Sequence, residues 1–341
     1  MSDTIEEFHT TASRLFGDFA TPAAIEAAEA GTFPQAAWDA VCASGFGLVL
    51  VPEERGGVGA GLAEAAAVLS AAGEHALAAP LLELVLGNHL LALAGRAPAA
   101  GPLALAFADS GGGSGAGTTL RNVPWAQAAR ELLVVARTGT GSGAGTVLAV
   151  LPAGELDLQA EIADASGEPL ARCRLPATAR WEPLPDGAYD ACLRRAALLR
   201  GAQTMGAMRW CLERTTAYTQ ERRQFGREIG KFQVVQQMMA ELASAVVASN
   251  AILDAAIAAP DDVALVAAAR SRLGDAVDTV FALAHQVHGA IGFSHEYVLH
   301  FRTRRMVAWR DQFGSVAHWR RVLARGFAGR RADAVWPLIA G

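Results

Sequence analysis

Lysine is almost missing from this chain: Lys231 is the only one in 341 residues, and the basic charge rests on arginine. With a formal net charge of −5 and arginines scattered along the chain, there is no basic stripe of the kind that binds nucleic acid, and nucleic acid is excluded as the main ligand. Only four cysteines are present, Cys42, Cys173, Cys192 and Cys211, far apart and without a Cys-x-x-Cys pair. This argues against a disulfide framework and a zinc site and for buried thiols in a reducing cytoplasm. The N-terminus, Met-Ser-Asp-Thr-Ile-Glu-Glu, lacks a basic stretch followed by an apolar one, and the long apolar segments are broken by Glu74, Glu83 or His89. Neither export nor a membrane span is expected, which makes the expected location cytoplasmic.

What is abundant is apolar: 52% of the residues are hydrophobic and 18% charged, enough for two or three domains sharing buried cores. The fold class expected is α+β, mostly α, in three parts: an N-terminal α-helical domain over 1–100, a small middle β domain over 101–187 and a C-terminal four-helix bundle over 188–341. The first part is alanine- and leucine-rich at helical spacing. In the second, Leu103–Phe107, Glu131–Arg137 and Thr146–Leu151 read as short strands, and the glycine clusters at 111–117 and 139–145 as turns or connections. Neither cluster ends in Gly-Lys-Ser/Thr or opens a helix, so neither is a phosphate loop. In the third, Phe232, Val235, Met239, Leu242 and Val246 form one core stripe and Leu273, Val277, Val280, Ala284 and Val287 another, with Val316, Trp319 and Leu323 marking a last helix. Met238, Met239, Val246 and Val247 would expose too much apolar surface for a monomer, so assembly is expected.

The most informative stretch is Tyr218–Met239, in which Glu221-Arg-Arg-Gln-Phe-Gly226 is followed by Gly230-Lys-Phe-Gln233 and Gln236. On the residues alone, Arg222 and Glu221 read as a solvated face and Phe225 with Phe232 as core. The order of these residues, however, resembles the C-terminal domain of the acyl-CoA dehydrogenase family. Trp38–Pro52 with the following Glu-Glu-Arg-Gly-Gly resembles the family's N-terminal domain, and Gln286-Val-His-Gly-Ala-Ile-Gly292 resembles its Gln-x-x-Gly-Gly-x-Gly turn, with Glu296, Leu299 and Arg302 downstream. The resemblance runs through essentially the whole chain and implies FAD as cofactor. Arg222 would reach the diphosphate of an FAD held mainly by a neighbouring subunit, since a guanidinium fork suits a pyrophosphate. Gln224 and Phe225 would line the same groove, Phe232 and Gln233 would meet the adenine, and Gln286, His288 and Gly289 would border the adenosine diphosphate. Ala290 replaces the second glycine of the turn. His285, His288, His295 and His300 show no metal-ligand pattern, so no metal is expected.

The reactive half of the family's site departs from the pattern. The chemistry requires a carboxylate base beside the substrate α carbon, yet one family position for it holds Ala196. Anchored on Gly314-Ser315, the other holds Phe313; an ungapped count from Arg302 brings Asp311 there instead. The middle-domain Thr/Ser-Glu-Pro and Gly-Ser-Asp motifs that cradle the flavin ring are replaced by Leu105-Ala-Phe-Ala-Asp-Ser-Gly-Gly-Gly113. The resemblance is therefore to the shortened, non-catalytic subunit of the α2β2 members, several of which act on steroid-derived or other bulky acyl-CoA side chains. A full-length homologous subunit would be the partner, an acyl-CoA the substrate, and an electron-transfer flavoprotein or oxygen the electron acceptor. The alternatives are a self-sufficient homo-oligomer using Asp311, a structural relative without cofactor, and a flavin monooxygenase, which would need its own flavin cradle.

Overall fold

The computed structural model describes residues 3–108, 117–139 and 145–328. Five helices come first: α1 (Asp3–Phe19), α2 (Pro22–Glu29), α3 (Gln35–Ser44), α4 (Leu62–His75) and α5 (Leu81–Leu93). Their ends follow local chemistry. The Thr21 side chain caps α2 by accepting from the Ala24 N–H, with Pro22 in the first turn, and α3 stops at Gly45 in the left-handed region.

Seven strands follow: β1 (Leu103–Ala108), β2 (Thr119–Pro124), β3 (Glu131–Arg137), β4 (Thr146–Pro152), β5 (Leu158–Glu161), β6 (Leu170–Arg174) and β7 (Glu182–Leu184). They form one sheet in the order β1-β3-β4-β7, with β1 and β3 parallel, and a second in the order β2-β6-β5. The unbroken apolar run of β3 is explained by burial on both faces. Leu132 and Val134 pack among Leu120, Ala171 and Cys173 of the second sheet, while Leu133 and Val135 join the main helical core. The sequence signal found β1, β3 and β4 and missed the four strands whose outer residues are polar. Most of the two glycine clusters lies outside the described residues, as does Asp109–Gly113 of the segment replacing the flavin-ring motifs.

The C-terminal part consists of α6 (Ala188–Glu221), α7 (Gln233–Ala258), α8 (Val263–His288), α9 (Leu299–Trp309) and α10 (Val316–Phe327). Helices α6, α7 and α8 pack on one another with α10 against α8, while α9 is an additional helix laid on α6. The α8 stripe is wholly buried, as its spacing predicts. The α7 stripe is not: Leu242 and Val246 are buried, but Phe232, Val235 and Met239 near its start are half-exposed. Val246 also leaves the expected sticky surface, because it faces inward, whereas neighbouring Val247 is 65% exposed and Val234 is 56% exposed. Helix α7 is long and apolar enough to cross a bilayer, contrary to the sequence expectation, but it packs against α6 and α8 and carries Glu241 and Asp254. Among the cysteines, Cys42 is exposed rather than buried; burial pushes the Cys211 thiol up to about 12.

The tightest helix pair is α4 with α6. A methyl group on Gly73 would overlap the carbonyl oxygen of Gln203, and one on Gly206 would overlap that of Ser70, so the two backbones meet where each helix has no side chain. Gly73→Ala or Gly206→Ala is expected to force the helices apart and cost about 1–3 kcal/mol, as overpacking does. Urea unfolding checks this; an unchanged midpoint would show that the contact is not tight in solution.

Candidate functional site

Two regions need separate description: the end of the bundle that carries the family-like motifs, and the interior where a base would stand.

At the bundle end, α6 stops at Arg222, whose N–H still donates to the Tyr218 carbonyl at 2.9 Å. A two-residue hairpin follows, with Arg223–Gln224 (β8) antiparallel to Arg227–Glu228 (β9). Its tip, Phe225-Gly226, has both residues at positive φ (50° and 80°), the geometry that matches strand twist in a tight hairpin. This turn pushes Phe225 out to 91% exposure, which overturns its reading as core. Phe232 lies 6.2 Å from it, edge to face, under the Arg227 guanidinium at 4.2 Å. Gln233 opens α7 and is exposed, as are Arg222, Gln224 and Gln286.

The second motif ends α8 beside the first. Tyr218 stacks on His288 with ring centroids 4.4 Å apart, and its hydroxyl donates to the His288 carbonyl at 3.4 Å. Gly289 turns the chain at φ 63° with no atom near where a side chain would be. His288 itself is buried. Its Nδ1 is 2.8 Å from the Ala284 carbonyl and its Nε2 3.1 Å from the Tyr297 hydroxyl, and burial holds its pKa below the usual histidine range. The imidazole is thus committed inside the protein, leaving the side chains of Arg222, Gln224, Gln233 and Gln286, none of which has a hydrogen-bonding partner among the described residues. A guanidinium, three amides, one exposed and one half-exposed ring and an open glycine turn are a set that fits the phosphate and adenine end of a dinucleotide. No group of three His, Cys, Asp or Glu side chains that could hold a metal occurs among the described residues.

The two positions expected to hold a base carry no carboxylate. Ala196 is fully buried. Phe313, held at φ 55°, packs edge to face on Phe107 of β1 at 5.9 Å, and Phe107 packs likewise on Tyr189 of α6 at 5.6 Å. Three aromatic rings from β1, α6 and the α9–α10 connection thus form one stack. Asp311 does not enter it. Its carboxylate accepts from Arg310 Nε at 3.1 Å and from the Val316 N–H at 3.2 Å, near Asp278 and Arg320 on the outer surface.

Sequence reasoning missed a buried polar cluster behind the aromatic plug. Arg200 donates to Glu83 at 2.8 Å and to Gln203, with its guanidinium 5.8 Å from the Phe313 ring centroid and 5.5 Å from that of Trp309. Glu168 accepts from Trp309 Nε1 at 3.1 Å, its other oxygen lacks a partner, and burial raises its pKa. The readable signal was Glu83, the sole charged residue of the apolar helix α5. A carboxylate there demands a cation, and Arg200 supplies it.

The description of the acyl-CoA dehydrogenase N-terminal domain matches residues 2–97, and that of the acyl-CoA dehydrogenase C-terminal domain matches residues 188–327. The chain belongs to the acyl-CoA dehydrogenase family. It is 32% identical over 301 residues to acyl-CoA dehydrogenase IpdE2 of Mycobacterium tuberculosis, covering 86% of this chain and 88% of IpdE2. Among solved structures it resembles the ChsE4-ChsE5 complex from Mycobacterium tuberculosis, at TM-score 0.83 and 22% identity over 97% of this chain and 99% of that one. It also resembles the Tcur3481-Tcur3483 steroid ACAD G363A variant, at TM-score 0.82 and 23% identity over 95% and 97%. In this family member, then, the motif-bearing bundle end is exposed, while Ala196 is buried and Phe313 packs in an aromatic stack with Phe107 and Tyr189.

Proposed function

We propose that this chain is the non-catalytic subunit of a heteromeric, FAD-dependent acyl-CoA dehydrogenase, giving its bundle end to a full-length partner that supplies the base and the flavin-ring contacts. What supports the reading is that Ala196 and Phe313, the latter stacked with Phe107 and Tyr189, stand where a base is expected, in the same chain whose Arg222, Gln224, Gln233 and Gln286 side chains are exposed and have no hydrogen-bonding partner among the described residues. FAD is the cofactor; when bound it accepts the hydride removed from the substrate β carbon. Arg222 binds and orients the diphosphate, the three glutamines hold the adenosine portion, and Phe225 and Phe232 wall the groove. No residue of this chain removes the α proton.

The exposed apolar face of α7 supports association. Val235, Met239, Ala240 and Ala243 with Leu212 border a groove of about 390 Å³; burying such a face contributes about 25 cal/mol per Å² before association costs. The substrate class is a bulky acyl-CoA, steroid-derived acyl groups included, in keeping with the two-chain relatives this fold resembles.

Expression alone and together with a full-length family member tests the reading. The chain alone is expected to come off the column colourless and without turnover, and the co-expressed complex yellow and active. Full FAD occupancy with dehydrogenase turnover in the chain alone would sink it.

A further inference from the structure

The two segments that grip the dinucleotide come from helix ends 67 residues apart, Glu221 and His288, and one side-chain network bolts them together. Arg214 Nε donates to the Tyr297 hydroxyl at 2.8 Å, and Arg214 also clasps Glu221 with both terminal nitrogens, at 3.2 and 3.1 Å. Glu221 directly precedes Arg222. The Tyr297 hydroxyl is 3.1 Å from His288 Nε2, and His288 Nδ1 faces the Ala284 carbonyl at 2.8 Å. A carbonyl only accepts, so Nδ1 carries the ring proton and Nε2 is left as an acceptor. The Tyr297 hydroxyl therefore donates to His288 while accepting from Arg214. The bonds run in one direction, from Arg214 through Tyr297 and His288 to the backbone of α8, each donor and acceptor used once. Tyr218, stacked on His288, closes the ring by accepting the Arg222 N–H on its carbonyl.

From this geometry we propose that Tyr297 is a positioning residue for the FAD grip: it holds the Arg222 hairpin and the Gln286–Gly289 turn in register before the dinucleotide arrives. It touches no part of the ligand and acts through Arg222. The inference rests on the reading of the bundle end as an FAD-diphosphate site. An arginine on an exposed two-residue hairpin gains affinity by being held in place, because less freedom is lost on binding. Neither Glu221 nor His288 can do this alone, since Glu221 is held by Arg214, which Tyr297 aligns, and His288 is bonded to Tyr297 itself.

The test is a double-mutant cycle in the assembled, deflavinated complex, with FAD affinity read by flavin fluorescence quenching. Tyr297→Phe keeps the ring against Tyr218 and His288 and removes only the hydroxyl. It is expected to raise the FAD dissociation constant about tenfold, with kcat at saturating FAD unchanged. In an Arg222→Ala background the same change is expected to add far less than tenfold, because only the Gln286–Gly289 side is left to lose, a non-additivity that simple loss of folding would not produce. If Arg222→Ala weakens FAD and Tyr297→Phe does not, or if the two effects add in full, the positioning role is overturned and the site reading stands. If Arg222→Ala itself leaves FAD affinity intact, the site reading falls, and this inference with it.

Discussion

Glu83→Ala is expected to destabilise the protein by about 3–5 kcal/mol, the cost of leaving a buried charge without its partner. Glu83 and Arg200 are each 2% exposed and joined at 2.8 Å. Without the carboxylate, the guanidinium keeps Gln203, the faces of Trp309 and Phe313 and the more distant attraction of Glu168, too little to replace solvation. For a chain of this size the thermal midpoint should fall by roughly 4–7 °C. The paired change Glu83→Leu with Arg200→Met should recover most of that, because two apolar groups of similar volume avoid the desolvation penalty. Calorimetry on the three variants decides it. A Glu83→Ala protein melting within a degree of the wild type would mean that water reaches Arg200 and that the interior is not closed.

The second large effect concerns Arg222. In the complex with its full-length partner, Arg222→Ala is expected to raise the FAD dissociation constant about 10- to 100-fold, the worth of charge-assisted hydrogen bonds to a diphosphate. Arg222→Lys should recover only part of this, because an ammonium is a point charge and cannot form the two parallel bonds of a guanidinium fork. Folding should be unaffected: the side chain is exposed and has no partner among the described residues, so a melting curve separates ligand loss from misfolding. An unchanged FAD affinity in Arg222→Ala would remove the bundle end from the cofactor site.

What could be read from the residues depended on whether a pattern is completed within one chain. The α8 stripe from Leu273 to Val287 was legible because every position meets this chain's own helices. The α7 stripe was legible only from Leu242 onward; Phe232, Val235 and Met239 have the right period but stay half-exposed, beside the Arg222 hairpin and an open groove rather than under another helix. The β3 run was legible because both faces are buried, while β5 and β6 alternate with polar residues on short strands and left no comparable signal. At the site, motif order singled out Arg222, Gln224 and Gln286, whose side chains the structure leaves exposed at one end of the bundle, and it singled out positions 196 and 313, which hold Ala and Phe. The motif did not reveal that His288 is internally committed, because its partner Tyr297 comes from a turn that periodicity does not describe. Nor could it reveal the plug. Phe107, Tyr189 and Phe313 are separated by 82 and 124 residues and meet only once the sheet, α6 and the α9–α10 connection are in place. Glu83 was visible as a charge on an apolar helix, but its meaning needed Arg200, 117 residues away.

The account stands or falls on whether any carboxylate of this chain removes the substrate proton, and Asp311 is the one residue that alignment leaves as a contender. Its side chain caps the start of α10 and pairs with Arg310 on the outer surface, away from the Phe313 ring. The decisive measurement is the rate of flavin reduction on rapid mixing of acyl-CoA with the assembled complex carrying Asp311→Asn. An unchanged rate is predicted; a loss of several orders of magnitude, as removal of a general base produces, would contradict the account.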